Sequence, residues 1–343
     1  MKRKILGLTA GILMLSLLCG TAWAKKILLI NGAGATFPYP LYSKWFYEYT
    51  KVDPTVNFNY QSIGSGGGQR QILAKTVDFG ASDGPMSDEQ LQKAPGVLFH
   101  IPMTAGAVVV TYNLPQASEK LKFSPDVLAD IFLGKIKSWN DPRISLDNRG
   151  VYLPNENIIV VHRSDGSGTT SIFTDYLSSV SAAWKAKVGK GTSVNWPVGL
   201  GGKGNEGVAG LVKQTQGSIG YVELAYADNN KLAYADIKNS SGNFITPSLE
   251  STSAAVGGKL NSMPDDFRVS LVNPDGADAY PIAGLTWILA YKNQDDSQKG
   301  EKLVEFLLWA ISEGQSYSSD LLYAPLPESM VRKIEEKINQ IVY

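Results

Sequence analysis

Three times in this chain an apolar run of strand length gives way to a turn of glycines and hydroxyls, and then to a helix-like segment. The first turn is Gly32-Ala33-Gly34-Ala35-Thr36-Phe37-Pro38, between a strand ending at Ile30 and an aromatic helix through Trp45. The second is Gly64-Ser65-Gly66-Gly67-Gly68, between a strand at 56–60 and a helix at 71–75. The third is Arg163-Ser164-Asp165-Gly166-Ser167-Gly168-Thr169-Thr170, between a strand at 158–161 and a helix at 172–177. With further strands expected at 77–81, 107–112 and 286–291, the alternation predicts α/β layers. Helix signals agree with it. Ser124-Pro125 starts a segment whose apolar face is Val127, Leu128, Ile131 and Phe132, and Gly134 can close it. Ser87 and Gln90 have capping-box spacing. Two amphipathic helices, at 302–311 and 328–341, end the chain, whereas 191–210 reads as loop-rich, an insertion or a lobe surface.

A helix start leaves about four backbone N–H groups unpaired, and glycine lets an anion come close to them. The helix dipole adds about half a positive charge. The hydroxyls of Thr36, Ser65, Ser167 and Thr169 would add donors. Ser, Thr and Gly are also the usual residues of N-caps and tight turns, so one such loop alone says little. Three in one chain, one of them carrying Arg163, favour an anion site. Asp165 is spaced to pair with Arg163 and hold its guanidinium fork toward a ligand. Asp83, in Gly80-Ala81-Ser82-Asp83-Gly84-Pro85, suits either an Asx turn or an acceptor in the site.

The first residues read as a secretion signal: Lys2, Arg3 and Lys4, an apolar stretch from Ile5 to Cys19, then Ala22-Trp23-Ala24 for cleavage after Ala24. Leu18 is bulkier than lipoprotein signals prefer, which disfavours a lipid anchor at Cys19. Cleavage removes three positive charges and no negative one from a formally neutral chain, together with its one cysteine. The remainder then has no disulfide and no excess positive charge to attract nucleic acid or anionic lipid. No second apolar stretch of about 20 residues predicts a membrane span. At 343 residues the chain suits about two domains.

Other signals carry less. Gly199-x-Gly201-x-x-Gly204 matches a dinucleotide fingerprint by letter, but no strand clearly precedes it. Lys203 is followed by Gly204, which breaks a P-loop. Two histidines and no mature cysteine give no metal constellation. Ser167, Asp165 and His162 are the residue types of a hydrolytic triad, yet they crowd into six residues without a G-x-S-x-G elbow. Tyr42, Trp45 and Tyr49 have the spacing of a buried helix face, which outweighs a sugar-stacking platform.

At GAGATFP (32–38), TVDFGASD (76–83), DGSGT (165–169), WPVGLGGKGNEG (196–207) and IGYVELAYA (219–227) the chain resembles the high-affinity phosphate-binding proteins of bacterial phosphate ABC transporters. The resemblance runs over nearly all of the mature chain. It implies a two-lobed α/β periplasmic-binding-protein fold of type II with the ligand in the inter-lobe cleft. Residues 25–113 and 283–343 would form the first lobe and 114–282 the second. By the same resemblance Ala35, Thr36, Phe37, Ser65, Asp83, Arg163, Ser167, Gly168 and Thr169 would bind phosphate, and Asp165 would orient Arg163. His162 stands where relatives often carry a second basic residue, so the field at the cleft is expected to vary with pH near neutrality.

The implied protein is a periplasmic monomer with no cofactor, metal or catalysis, and no nucleic-acid partner. It would deliver phosphate to membrane permease and ATPase subunits. An ionised Asp83 would accept a hydrogen bond from phosphate, which keeps a proton near neutral pH, and repel sulfate, which has none to give. A secreted phosphatase or esterase using Ser167, and an extracytoplasmic phosphate sensor, are the alternatives.

Overall fold

One mixed sheet organises the computed structural model, which describes residues 27–343. The expected secretion signal, with Cys19 and the expected cleavage point at Ala24, lies outside the described residues. Across the sheet the strands run Val56–Ser62, Leu28–Gly34, Phe79–Ser82, Ala283–Tyr291, Leu98–Asn113, Ser218–Glu223, Ile159–Arg163 and Leu200–Gly202. Pairing is parallel toward both edges, where helices provide the crossovers, and antiparallel in the middle. A small second sheet joins Lys122–Phe123, Asp236–Lys238 and Phe244–Ile245.

Leu98–Asn113 is the spine. Its first part pairs with Ala283–Tyr291 and its last six residues with Ser218–Glu223, so it belongs to both halves of the sheet. All of it but Asn113 is buried. The sequence reading found only 107–112, because His100 and Pro102 interrupt the apolar run. Pro102 has no N–H to give a ladder. The structure accommodates it with a register shift: Thr286 faces Thr104, and Trp287 faces Pro102.

Each half has its own aromatic core. Phe46, Phe58, Tyr60, Phe79 and Phe306 pack under the first, with Phe58 and Phe306 rings 4.4 Å apart. Phe132, Phe173, Trp196 and Tyr221 pack under the second, with Phe173 and Tyr221 rings 4.3 Å apart. Full burial, as for Phe79, Phe306, Phe132, Phe173 and Tyr221, stabilises the fold by roughly 1.5–3 kcal/mol per side chain, and the half-buried Phe58, Tyr60 and Trp196 contribute less. Tyr42, Trp45 and Tyr49 are buried as their spacing predicts, and the Trp45 indole donates to the Gly314 carbonyl at 2.6 Å.

Helix positions follow their signals closely. Pro125–Phe132 begins after Ser124, Gly134 adopts φ +72°, and the Ser87–Gln90 capping box forms. The last two long helices are Ser297–Ile311 and Glu328–Ile338. Two expectations about glycine need correction. Gly32 to Gly34 are not turn residues but continue the strand Leu28–Gly34, where a Cβ on Gly32 would enter the Phe79 ring. Gly66, Gly67 and Gly68 form the first turn of the helix Ser65–Leu73 rather than preceding it. The 191–210 segment is likewise less irregular than expected. It holds the strand Leu200–Gly202 and opens the helix Gly204–Gln214.

Candidate functional site

The three glycine loops meet between the two halves of the sheet. The second and third touch through their backbones, the Gly66 N–H donating to the Gly166 carbonyl at 2.9 Å. A Cβ on Gly66 would lie 3.2 Å from the Gly166 Cα, so this approach needs glycine on both sides. The Gly168 N–H donates to Ser65 Oγ at 3.0 Å, and so does the Asp83 N–H at 3.1 Å. The first loop is tied in by Asn205, whose amide nitrogen reaches Thr36 Oγ1 at 2.8 Å and Thr169 Oγ1 at 3.1 Å.

The loops are turned so that donors face one another. The carbonyls of Ala35, Thr36 and Phe37 each accept a phenol hydrogen, from Tyr60 at 2.7 Å, Tyr226 at 2.6 Å and Tyr323 at 2.7 Å. The N–H groups of Thr36, Phe37, Ser65 and Thr169 have no acceptor among the described residues, and all four residues are buried. Buried N–H groups are nearly always paired. A cluster of four that are not is a site for an external acceptor, and their common charge preference is for an anion.

Arg163 supplies the positive charge. Its side chain is 1% exposed and bound in parallel by Asp165, Nε to Oδ1 at 2.8 Å and Nη2 to Oδ2 at 2.6 Å. That leaves Nη1 pointing to Thr169 Oγ1, at 3.4 Å. Burial alone would raise the Asp165 carboxyl, but the Arg163 bonds and charge, with the Gly204 N–H, outweigh it and hold it below its usual value. Ser167 caps the helix Gly168–Val180, its Oγ accepting from the Thr170 N–H at 3.0 Å.

Asp83 is the exception among these groups. It makes no Asx turn, a task taken by Ser82, whose Oγ accepts from the Gly84 N–H at 3.2 Å. The Asp83 carboxylate takes a hydrogen bond from Thr286 on Oδ1 at 2.8 Å, while Oδ2 has the Ser65 hydroxyl at 3.3 Å. Burial pushes its pKa up from 3.8 to about 7 against the opposing effects of Thr286, Arg163 and Ser65. A cavity of about 430 Å³, lined in part by Pro85, Ser171, Arg268 and Trp287, meets these residues at Asp83.

His162 does not carry the pH dependence expected of it. Its ring stacks on Trp196 at 4.8 Å, its Nδ1 lies 3.0 Å from the Arg163 carbonyl, and burial lowers its pKa below the usual value. Of the groups around the site it is Asp83, pushed up to about 7, that lies near neutrality. Among the described residues no cluster of three or more His, Cys, Asp or Glu could hold a metal, and no helix is long and apolar enough to cross a membrane.

Several residues of this region were not singled out by sequence reasoning. Thr286 and Tyr60 read only as strand residues, and Tyr226 and Tyr323 drew no reading of their own. Asn205 lies in the stretch read as loop, although Leu200–Gly202, Gly204 and a helix repeat the strand, glycine and helix order of the other three. Glu223 is also buried beneath the first loop. Burial drives its carboxyl well above the usual range. The Tyr323 hydroxyl is shared between two acceptors, the Phe37 carbonyl at 2.7 Å and Glu223 Oε2 at 3.0 Å.

Comparisons with known proteins agree with this architecture. A family model described as a PBP superfamily domain matches residues 20–313. A phosphate-binding protein PstS of Pasteurella multocida is 48% identical over 330 residues, covering 96% of this chain and 95% of its own length. Its counterpart of the same name in Haemophilus influenzae is 50% identical over 309 residues, covering 90% and 92%. Among solved structures, a high affinity periplasmic phosphate-binding protein bound with phosphate superposes with a TM-score of 0.71 at 22% identity, over 90% of this chain and 93% of that one.

Proposed function

The chain belongs to the PBP superfamily and, within it, to the phosphate-binding protein family of its Pasteurella and Haemophilus relatives, and from that premise we propose that it captures inorganic phosphate for an ABC transporter. Its fold is the mixed α/β, two-lobe periplasmic-binding-protein fold. In this reading residues 25–113 and 283–343 form one lobe and 114–282 the other. The division is supported by the change of partners along Leu98–Asn113. Phosphate lies between the lobes, held by Ala35, Thr36, Phe37, Ser65 and Asp83 on one side and Arg163, Ser167, Gly168 and Thr169 on the other, with Asp165 fixing the guanidinium. The protein is exported, cleaved after Ala24, and acts as a periplasmic monomer that hands its ligand to permease and ATPase subunits.

The observation that carries this reading is the pairing of many donors with one carboxyl. Unpaired N–H groups, hydroxyls and Arg163 suit any oxyanion, whereas Asp83 suits one that has a proton to share. Phosphate does near neutral pH, and sulfate does not. Hydrolysis by Ser167 is disfavoured because its Oγ caps a helix and the His162 ring lies stacked on Trp196. A base for the hydroxyl is then missing from the residues first considered for that role.

Calorimetry on the chain cleaved after Ala24 tests the proposal, with phosphate and sulfate titrated separately. At about pH 8.5, above the Asp83 pKa of about 7, phosphate alone is expected to bind, and Asp83→Asn is expected to admit sulfate. Sulfate binding as tight as phosphate in the unaltered protein, or turnover of p-nitrophenyl phosphate, would overturn the reading.

A further inference from the structure

Asn205 is fully buried and touches both sides of the site. Its amide orientation is settled by its neighbours. The Glu223 backbone N–H, which can only donate, points at Oδ1 at 3.0 Å, so the NH2 group faces the two threonines. Its two hydrogens go one to Thr36 Oγ1 and one to Thr169 Oγ1.

A hydroxyl oxygen has two acceptor positions and one hydrogen. On Thr36 both acceptor positions are filled, by Asn205 Nδ2 at 2.8 Å and the Asn205 backbone N–H at 3.3 Å. On Thr169 they are filled by Asn205 Nδ2 at 3.1 Å and Arg163 Nη1 at 3.4 Å. Neither hydroxyl has a role left except to donate. Thr36 and Thr169 lie on opposite sides of the site, so one amide sets the polarity of both.

We propose that Asn205 is a positioning residue that forces the Thr36 and Thr169 hydroxyls to act only as donors to the bound anion. The proposal rests on the phosphate-binding reading and deepens it. It explains why a threonine hydroxyl, which elsewhere accepts as readily as it donates, counts here as part of an anion cradle. A carboxylate at position 205 would have the same shape and the reverse demand. It would accept from both hydroxyls and turn their hydrogens away from the ligand.

Asn205→Asp tests this, read by phosphate calorimetry together with Thr169→Val in both backgrounds. Phosphate affinity is expected to fall by about a hundredfold in Asn205→Asp, two hydrogen bonds to a charged ligand being lost at about tenfold each. Added charge alone could also weaken binding, so the coupling decides. Thr169→Val should cost about tenfold in the unaltered protein and almost nothing once Asn205 is Asp. Asn205→Ala, which adds no charge, is a second background should the aspartate variant not fold, and because it leaves the hydroxyl unoriented without turning it away, a smaller but measurable shrinkage of the Thr169→Val effect is expected there. An equal Thr169→Val cost with and without Asn205 overturns the positioning role. Absence of phosphate binding in the unaltered protein would instead remove the functional reading beneath it, so the two failures are distinct.

Discussion

Replacing Asp83 by asparagine should make the ligand-free protein more stable above neutral pH and leave it unchanged in acid. The Asp83 residue is 2% exposed, and its carboxyl titrates at about 7 in the fold against an ordinary 3.8. Between those values the folded chain keeps a proton that the unfolded chain releases. Its contribution to stability is therefore complete below about pH 4 and lost as pH rises toward about 7. At about 1.4 kcal/mol for each pH unit, the loss above neutrality comes to about 4 kcal/mol. Asparagine has the same shape, still offers Oδ1 to the Thr286 hydroxyl and has no charge to desolvate. It gives up the attraction of Arg163 and, where its NH2 group replaces Oδ2, the long Ser65 hydroxyl bond, each a smaller effect than burial at this site.

The assay is urea unfolding of both proteins from about pH 4 to about pH 8.5, in buffer freed of phosphate because a bound ligand stabilises by mass action. Equal stability in acid is expected, with a gap opening to about 4 kcal/mol in favour of the variant above neutrality. Parallel pH profiles would refute the reasoning, since they would mean that the Asp83 carboxyl titrates alike in the folded and unfolded chains.

Two other substitutions probe the geometry directly. Arg163→Lys removes the paired bonds to Asp165 and the fork that aims Nη1, and phosphate affinity should drop by about thirtyfold or more; an unchanged calorimetric constant would deny the guanidinium its role. Gly168→Ala would place a methyl 2.5 Å from both Asp83 Oδ2 and Ser65 Oγ, so the loops could not meet; a loss of about a hundredfold in phosphate affinity is expected, and an unaltered affinity would show that this close approach is dispensable.

What was legible in the sequence was local. Helix starts need hydroxyls and glycines within a few residues, so all three loops could be read, as could the Ser87 cap and the pairing of Asp165 with Arg163 two positions away. The missed features are tertiary. Gly66 to Gly68 looked like a turn because glycine costs a helix interior about 1 kcal/mol each. What repays that cost is the backbone of Gly166, a hundred residues on in the third loop, and the Ala33 carbonyl 2.6 Å from where a Gly68 Cβ would stand. The donor that fixes Asp83 is Thr286, and the phenol that fixes Phe37 is Tyr323, and neither has a local partner to announce it.

Those distant residues change what the glycine turns mean. A turn by itself shows carbonyls as well as N–H groups, and it attracts anions only if the carbonyls look elsewhere. Tyr60, Tyr226 and Tyr323 turn away three successive carbonyls, and Asn205 does the equivalent for two hydroxyls. The phenol burial needed for this comes from three separate parts of the chain. In a site so purged of acceptors, one carboxyl has a disproportionate effect. Every donor lowers the energy of any oxyanion alike, so the difference between anions falls to Asp83, and it depends on whether the anion or the carboxyl supplies the shared proton. Phosphate near neutrality can supply it. Sulfate can bind only when Asp83 does, which ties the discrimination to the same buried carboxyl whose titration governs stability.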